Sequence, residues 1–279
     1  MTEASDTTRW DREFPNAAQW RPLVVVMPAY NAATTLELTY RDIPTGLADE
    51  VIVVDDASRD DTVHVARALG LRVLVHPENR GYGANQKTCY AEALRLGART
   101  VVMLHPDYQY DPRGLPELLR PIAAGEKDFM IGSRLADGKA VERGMPRYKW
   151  LGNRLLTVCE NAALGLRFTE LHSGLRAYTR QLLETVPWRL NSDDFVFDTQ
   201  MIAQATHFGF RMGEVPCPAR YMPEASSIGF AKSVKYGLAT LWTMLQYRLH
   251  RCGVVRSPLF MPDPAARPDD AKVGEKAGE

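Results

Sequence analysis

Four short, valine-rich apolar runs, each breaking into a polar loop, constrain this chain more than any other feature. They are Leu23-Val24-Val25-Val26-Met27, Val51-Ile52-Val53-Val54, Val73-Leu74-Val75 and Val101-Val102-Met103-Leu104. Runs that are apolar throughout, rather than at alternate positions, suit parallel strands covered on both faces. The stretches between them carry helix signals. Thr34 or Thr35 opens the first, and Pro44 with Gly46 closes it. Asp60, Asp61 and Thr62 open the second and Gly70 stops it; a third follows Asn79-Arg80-Gly81-Tyr82-Gly83-Ala84-Asn85 and runs to about Leu96. This β-α-β-α-β-α-β order predicts an α/β fold, a mostly parallel sheet with helices on both faces. Further on, residues 115–123, 150–164 and 193–208 read as helices, and the polar, basic residues 135–150 as a mobile loop. Residues 128–134, residues 170–178 and a segment starting at Glu214 read as strands.

The 279 residues suffice for one large domain with extensions. Residues 1–22 read as a loose arm that Trp10, Phe14 and Trp20 can pin down, and 23–230 as the main domain. Residues 231–256 read as an amphipathic helical extension and 257–279 as a disordered tail. With 34 Lys+Arg against 34 Asp+Glu, no global field invites nucleic acid. Cys89, Cys159, Cys217 and Cys252 lie far apart without a CxxC pair, which suits a reducing compartment and excludes a zinc site. The N-terminus has no apolar signal-peptide core, and no apolar run reaches the ~18 residues of a membrane span. A cytoplasmic location is expected.

In an open α/β sheet, ligands bind beyond the carboxyl ends of the strands. Beyond residues 101–104 lie His105, Asp107 and Gln109, at alternate positions. In an extended segment alternate residues point the same way. An imidazole, a carboxylate and an amide oxygen gathered there suit Mg²⁺ or Mn²⁺ on a diphosphate, with the imidazole favouring Mn²⁺. The alternative is an ordinary strand end, with Asp107 capping a turn and Pro112 starting a helix. Gly81-Tyr82-Gly83 lacks the third glycine of a dinucleotide fingerprint, and Asp55-Asp56 precedes it instead of following it, so a nicotinamide site is rejected.

Together, VVVMPAYNA, VIVVDDASRDDT, NRGYGANQ, VVMLHPDYQYDP, MIGSR, LHSGLRAY, FVFDTQ and EVPCPARYMPEASS span about residues 23–230. In this order they resemble the family-2 nucleotide-sugar glycosyltransferases of GT-A fold. The nearest branch is that of dolichyl-phosphate mannose synthase and bacterial polyprenyl-phosphate glycosyltransferases. The resemblance implies a UDP- or GDP-hexose donor and a divalent ion. Pro28 and Tyr30, with Asn31 beside them, would line the nucleotide; Asp55 or Asp56 would take hydrogens of the base or ribose. Gly81 would let the backbone approach the nucleotide. Asp107 would hold the metal with Gln109 assisting, and Arg134 and Arg147 would contact phosphates. For Asp55 and Asp56 the competing role is helix capping, and for Arg147 it is a solvated loop charge.

Four departures from the family pattern stand out. His105 occupies the first Asp position of the DxD motif. Glu170 or His172 stands where an Asp usually precedes Ser-Gly. The late loop reads Arg220…Ser226-Ser227 with Lys232 following, in place of an Arg and a Ser-Lys pair. Enzymes of the phosphate-acceptor branch have a Glu near Gln200, whereas hydroxyl-acceptor enzymes place a catalytic Asp near Asp198. A hydroxyl acceptor needs a base and a lipid phosphate does not. Asp198 is the base candidate, or else an acid favoured in a helix's first turn.

Residues 233–251 place Val234, Leu238, Leu241, Leu245 and Leu249 on one helical face, flanked by Lys232, Lys235, Arg248 and Arg251. Such a helix can lie in a membrane surface; alternatively it packs on its own domain or on the partner of a homodimer. The reading is an inverting, metal-dependent glycosyltransferase moving a hexose to polyprenyl phosphate, peripherally at the inner membrane face. Transfer to a hydroxyl of a sugar or small molecule, with Asp198 as base, is the alternative. A degenerate nucleotide-sugar binder, suggested by His105, is opposed by the intact Asp107, Gln109 and Arg134.

Overall fold

In the computed structural model, which describes residues 7–14, 16–220 and 230–262, the apolar runs line up in one seven-stranded sheet. Helices α1 (Thr7–Glu13) and α2 (Ala17–Trp20) precede β1 (Leu23–Ala29). Then come α3 (Leu36–Arg41), β2 (Glu50–Asp55), α4 (Thr62–Ala68), β3 (Arg72–Val75), α5 (Tyr82–Arg95) and β4 (Thr100–Met103). The second half adds α6 (Leu115–Ala123), β5 (Phe129–Ser133), α7 (Arg147–Leu164), β6 (Arg176–Thr179) and α8 (Arg180–Thr185). It closes with α9 (Phe197–His207), β7 (Met212–Pro216) and α10 (Phe230–Arg251).

The strand order is β3-β2-β1-β4-β6-β5-β7. Only β6 runs antiparallel to its neighbours β4 and β5; the other pairings are parallel. All seven residues of β1 are buried, with Val25 opposite Val51 on one side and Val102 on the other. Successive residues feed opposite layers: Val24 and Val26 join one apolar cluster, Val25 and Met27 the other. This two-sided burial is why the runs are apolar throughout. The chain leaves β1 towards β2 and β3 on one side and returns to β4 on the other. The carboxyl ends of β1 and β4 therefore form the switch point, the place where open α/β sheets bind ligands in a crevice.

Three segments are more ordered than the expectations. In the arm, Trp10, Phe14 and Trp20 are buried; Phe14 stacks on Trp10 at 5.9 Å and meets Trp20 edge-to-face at 5.6 Å, and the Trp10 indole donates to the Thr45 carbonyl. The basic stretch ahead of α7 is not an open loop: Leu135, Ala140 and Met145 bury one another, and Arg143 pairs with Asp137. Residues 257–260, placed at the start of the tail, instead fold back and bury Phe260 against His207 and Tyr247. The expectations for the loop at 221–229 and the tail beyond 262 lie outside the described residues.

Candidate functional site

The crevice is marked by backbone strain. Asn31, Ala57 and Tyr108 have φ of 52°, 58° and 57°, and they lie just beyond β1, β2 and β4. A left-handed conformation at a residue with a side chain costs roughly 1–3 kcal/mol and tends to mark a functional site. The first two turns are tied together: Asn31 N–H donates to Ser58 Oγ, and Arg59 N–H donates to Asn31 Oδ1, both at 2.8 Å. Pro28 is buried at the end of β1, while Tyr30 is 49% exposed above it.

The two aspartates after β2 do different work. Asp56 receives the N–H groups of Arg80 (2.9 Å) and Gly81 (3.0 Å), and its Oδ1 lies 2.7 Å from His76 Nδ1. It fastens the 76–81 loop. Asp55 accepts from Ser58 N–H through Oδ2, but its buried Oδ1 has no partner among the described residues. An orphaned buried carboxylate oxygen is costly and fits a ligand donor. Gly81 has a structural role whatever it does for a nucleotide. The space its Cβ would take lies 2.7 Å from the Asp193 carbonyl oxygen, and that of Gly83 lies 2.2 Å from the Ser192 carbonyl oxygen. Both glycines let the 192–193 backbone close on the start of α5.

The same-side alternation of His105, Asp107 and Gln109 does not hold. β4 ends at Met103, residues 106–107 turn, and Tyr108 is left-handed. Asp107 stays half-buried and its Oδ1 accepts from Gln109 N–H at 3.0 Å. Tyr108 donates to Asp42 at 2.6 Å beneath the Arg220 guanidinium, and the Gln109 carbonyl accepts from Arg220 N–H at 2.8 Å. His105 stacks on Tyr82, centroids 5.4 Å apart. Its Nε2 lies 3.1 Å from the Tyr82 hydroxyl, which donates to Asp198 Oδ2 at 2.7 Å. The phenol has one proton and gives it to the carboxylate, so His105 Nε2 is the donor to Tyr82. A Cβ on Gly174 would lie 2.6 Å from Cδ2 and 2.9 Å from Nε2 of His105. The ring vertex opposite that edge is Nδ1, which keeps the lone pair. Burial pushes the His105 pKa down, against the nearby charges of Asp107 and Asp198, so the ring is neutral.

Asp198 is only 7% exposed. Besides Tyr82 it receives Gln86 Nε2 at 3.1 Å and lies 3.3 Å from the guanidinium of Arg176, which is 0% exposed. Arg176 also donates to the carbonyls of Ser173, Leu171 and Asp198. Tyr82, Gln86 and Arg176 had no role in the reading of the sequence, although they sit in its GYGANQ and LHSGLRAY motifs. The available signal was an arginine at the start of the strand that ends LHSGLRAY.

Arg134 is held by the protein itself. Its Nε donates to Glu170 Oε1 at 2.8 Å, its Nη2 to the same oxygen and to the His172 carbonyl, and Asn153 Nδ2 donates to Glu170 at 2.7 Å. Burial pushes the Glu170 carboxyl up, but Arg134 and these hydrogen bonds outweigh it and hold the pKa below its ordinary value. Arg147 stands apart from this group, exposed in the first turn of α7.

Among the described residues no three His, Cys, Asp or Glu side chains gather as a metal cage. One imidazole and one carboxylate, with the Gln109 amide, nevertheless fit an ion that takes its remaining ligands from diphosphate and water, as Mg²⁺ and Mn²⁺ do.

Residues 24–186 match the model of glycosyl transferase family 2. The chain belongs to that family. It is 24% identical over 244 residues to a UDP-N-acetylglucosamine–dolichyl-phosphate N-acetylglucosaminyltransferase of Methanococcus voltae, covering 81% of this chain and 96% of that one. It is 27% identical over 245 residues to an undecaprenyl-phosphate mannosyltransferase of Micrococcus luteus, covering 81% and 98%. The fold matches glucosyl-3-phosphoglycerate synthase of Mycobacterium tuberculosis, solved with UDP, at TM-score 0.65 and 22% identity over 88% of this chain and 85% of that one. A structure of that synthase with Mn²⁺, UDP and phosphoglyceric acid matches at TM-score 0.63. This family-2 glycosyltransferase thus has a seven-stranded α/β sheet like that of solved GT-A enzymes, and relatives named for lipid-phosphate glycosylation.

Proposed function

We propose that this family-2 glycosyltransferase moves a hexose from a UDP- or GDP-sugar to a polyprenyl phosphate, with inversion, peripherally at the cytoplasmic face of the inner membrane. The observation that carries the acceptor is the state of Asp198. A hydroxyl acceptor needs a base within reach of its proton. Both Asp198 oxygens already hold donors, and a buried guanidinium sits beside them. A lipid phosphate arrives as an anion and needs no base.

In this reading Pro28, Tyr30, Asn31 and the unpartnered Asp55 oxygen receive the nucleoside. Asp107, His105 Nδ1 and Gln109 would hold the divalent ion, whose chemistry is to neutralise the departing nucleoside diphosphate. Tyr82 and Asp198 orient the imidazole for it. Arg134 positions the 170–174 segment through Glu170, and Arg147 reaches an acceptor or donor phosphate. The test is transfer from radiolabelled UDP-glucose and GDP-mannose in the presence of undecaprenyl phosphate and Mn²⁺. Label is expected in the organic phase. Label found only in a water-soluble glycoside sinks the lipid-phosphate reading.

A further inference from the structure

We infer that the paired outer faces of α7 and α10 form a docking surface for an anionic lipid bilayer. The two helices run side by side in the same sense. Gly237 faces Leu156, and Arg248 Nη1 reaches the Ala163 carbonyl at 3.4 Å. Their inner positions, among them Thr157, Glu160, Thr240 and Met244, are buried. On the outer side of α7, Tyr148, Leu151, Leu155 and Val158 recur at helical spacing and are 62, 63, 63 and 61% exposed. On α10, Leu238, Leu241, Trp242 and Leu245 are 64, 41, 58 and 47% exposed. Single exposed apolar residues are ordinary; eight large ones on two adjacent helices mark an interaction surface.

Charge names the partner. The two helices carry seven Lys and Arg and a single acidic residue, Glu160, which is 0% exposed. The helices therefore expose Arg147, Arg154, Lys232, Arg248 and Arg251 and no acid of their own, and among the described residues only Lys235 of their cations pairs with a partly exposed carboxylate, Asp194. At the C-terminal ends of the two helices a groove of about 450 Å³ is lined by Ala162, Arg248, Arg251 and Cys252. An apolar body with a cationic flank is the pattern of a helix lying in a lipid interface, and anionic headgroups answer the cations. A second copy fits poorly, because a two-fold contact sets the face on itself and opposes cation to cation. Residues 263–279 supply one large aliphatic side chain, Val273, too little to cover the face.

The surface adjoins the site. From α10, Tyr236 meets His172 at 2.7 Å and Lys235 pairs with Asp194 at 2.6 Å; from α7, Asn153 holds Glu170. The inference deepens the lipid-acceptor reading and rests on it for its purpose, since a polyprenyl phosphate is presented from a bilayer.

The test uses the full chain with vesicles of phosphatidylglycerol and phosphatidylcholine mixed, and of phosphatidylcholine alone, without donor or acceptor. Co-sedimentation with the anionic vesicles is expected, falling as salt rises and at least roughly tenfold weaker with neutral vesicles. The double variant Leu155→Glu with Leu238→Glu alters exposed positions, so the fold and any UDP-induced thermal shift should persist while vesicle binding drops at least roughly tenfold. Absence of vesicle binding, or binding that the variant leaves intact, overturns the inference. So does a dimer in sedimentation velocity that the variant dissociates, since the face then belongs to a second copy. A lost UDP shift with vesicle binding retained would instead count against the donor-site reading.

Discussion

The imidazole of His105 stands where the resemblance to the family pattern implies a carboxylate, and its surroundings suit the exchange. Tyr82 accepts a hydrogen bond from its Nε2–H, Asp198 accepts one from the Tyr82 hydroxyl, and burial favours the neutral ring. A nitrogen donor favours Mn²⁺ over Mg²⁺ compared with an oxygen donor. His105→Asp is therefore expected to shift preference towards Mg²⁺, read as the ratio of the two metal concentrations that half-saturate UDP-dependent thermal stabilisation. An unchanged ratio would remove His105 from the metal site. Asp198 calls for a different measurement. If it anchors Arg176, Asp198→Ala leaves a buried cation unpaired and costs about 3–5 kcal/mol in urea unfolding. A loss of activity with under about 1 kcal/mol of destabilisation would return it to the role of base. Asp55 and Asp56 show where reading residues from sequence stops. The two are adjacent and chemically identical, and only the fold of the 76–81 loop shows that one is engaged while the other keeps an oxygen free.

At the scale of elements, the strands were legible because burial on both faces writes continuous apolar runs, as in residues 23–27 and 101–104. The turn at Tyr108 was not, because no glycine announces its left-handed backbone, and so the alternation expected for residues 105–109 failed. Helix α1 was also missed: its one large apolar residue, Trp10, is held by Phe14 just beyond the helix and by the distant Thr45 carbonyl. Contacts between elements then set tolerances. Gly83 in α5 faces the 192–193 backbone, so Gly83→Ala should destabilise by about 1–3 kcal/mol, since backbone cannot step aside cheaply. Gly152 in α7 has open space where a methyl group would stand, with nothing within 4 Å, and Gly152→Ala should stabilise by about 0.5–1 kcal/mol. Equal effects from the two substitutions would contradict the assigned packing. Glu170 joins β5, α7 and the segment before β6 through Arg134 and Asn153. Its folded pKa lies below the ordinary value, so its contribution is full above about pH 4.3 and is lost as pH falls through the lower folded value. The stability gap between wild type and Glu170→Gln should hold at neutral pH and close in that acidic window. A gap independent of pH would mean that the carboxylate's charge is not what Arg134 responds to.

Across the whole molecule, the strained turns, the orphaned Asp55 oxygen and the His105–Asp107 pair lie along one edge of the sheet, at the switch between β1 and β4. None of them forms a complete ion site alone: the described residues offer an imidazole and a carboxylate where Mg²⁺ or Mn²⁺ wants about six ligands. Metal and nucleotide must then complete each other's coordination, and their binding should be linked. A nucleoside diphosphate at ~100 times its dissociation constant adds ~2.7 kcal/mol to a folded state that alone binds it, which moves a thermal midpoint visibly. UDP or GDP, but not both equally, is expected to raise the midpoint in the presence of Mn²⁺. Neither the nucleotide without metal nor the metal without nucleotide should raise it comparably. Asp107→Ala should abolish the metal-dependent part and leave a smaller, metal-independent shift from the nucleoside contacts around Pro28, Tyr30 and Asp55. If Asp107→Ala keeps the full metal-dependent shift, the ion is held elsewhere and the crevice holds only the nucleoside.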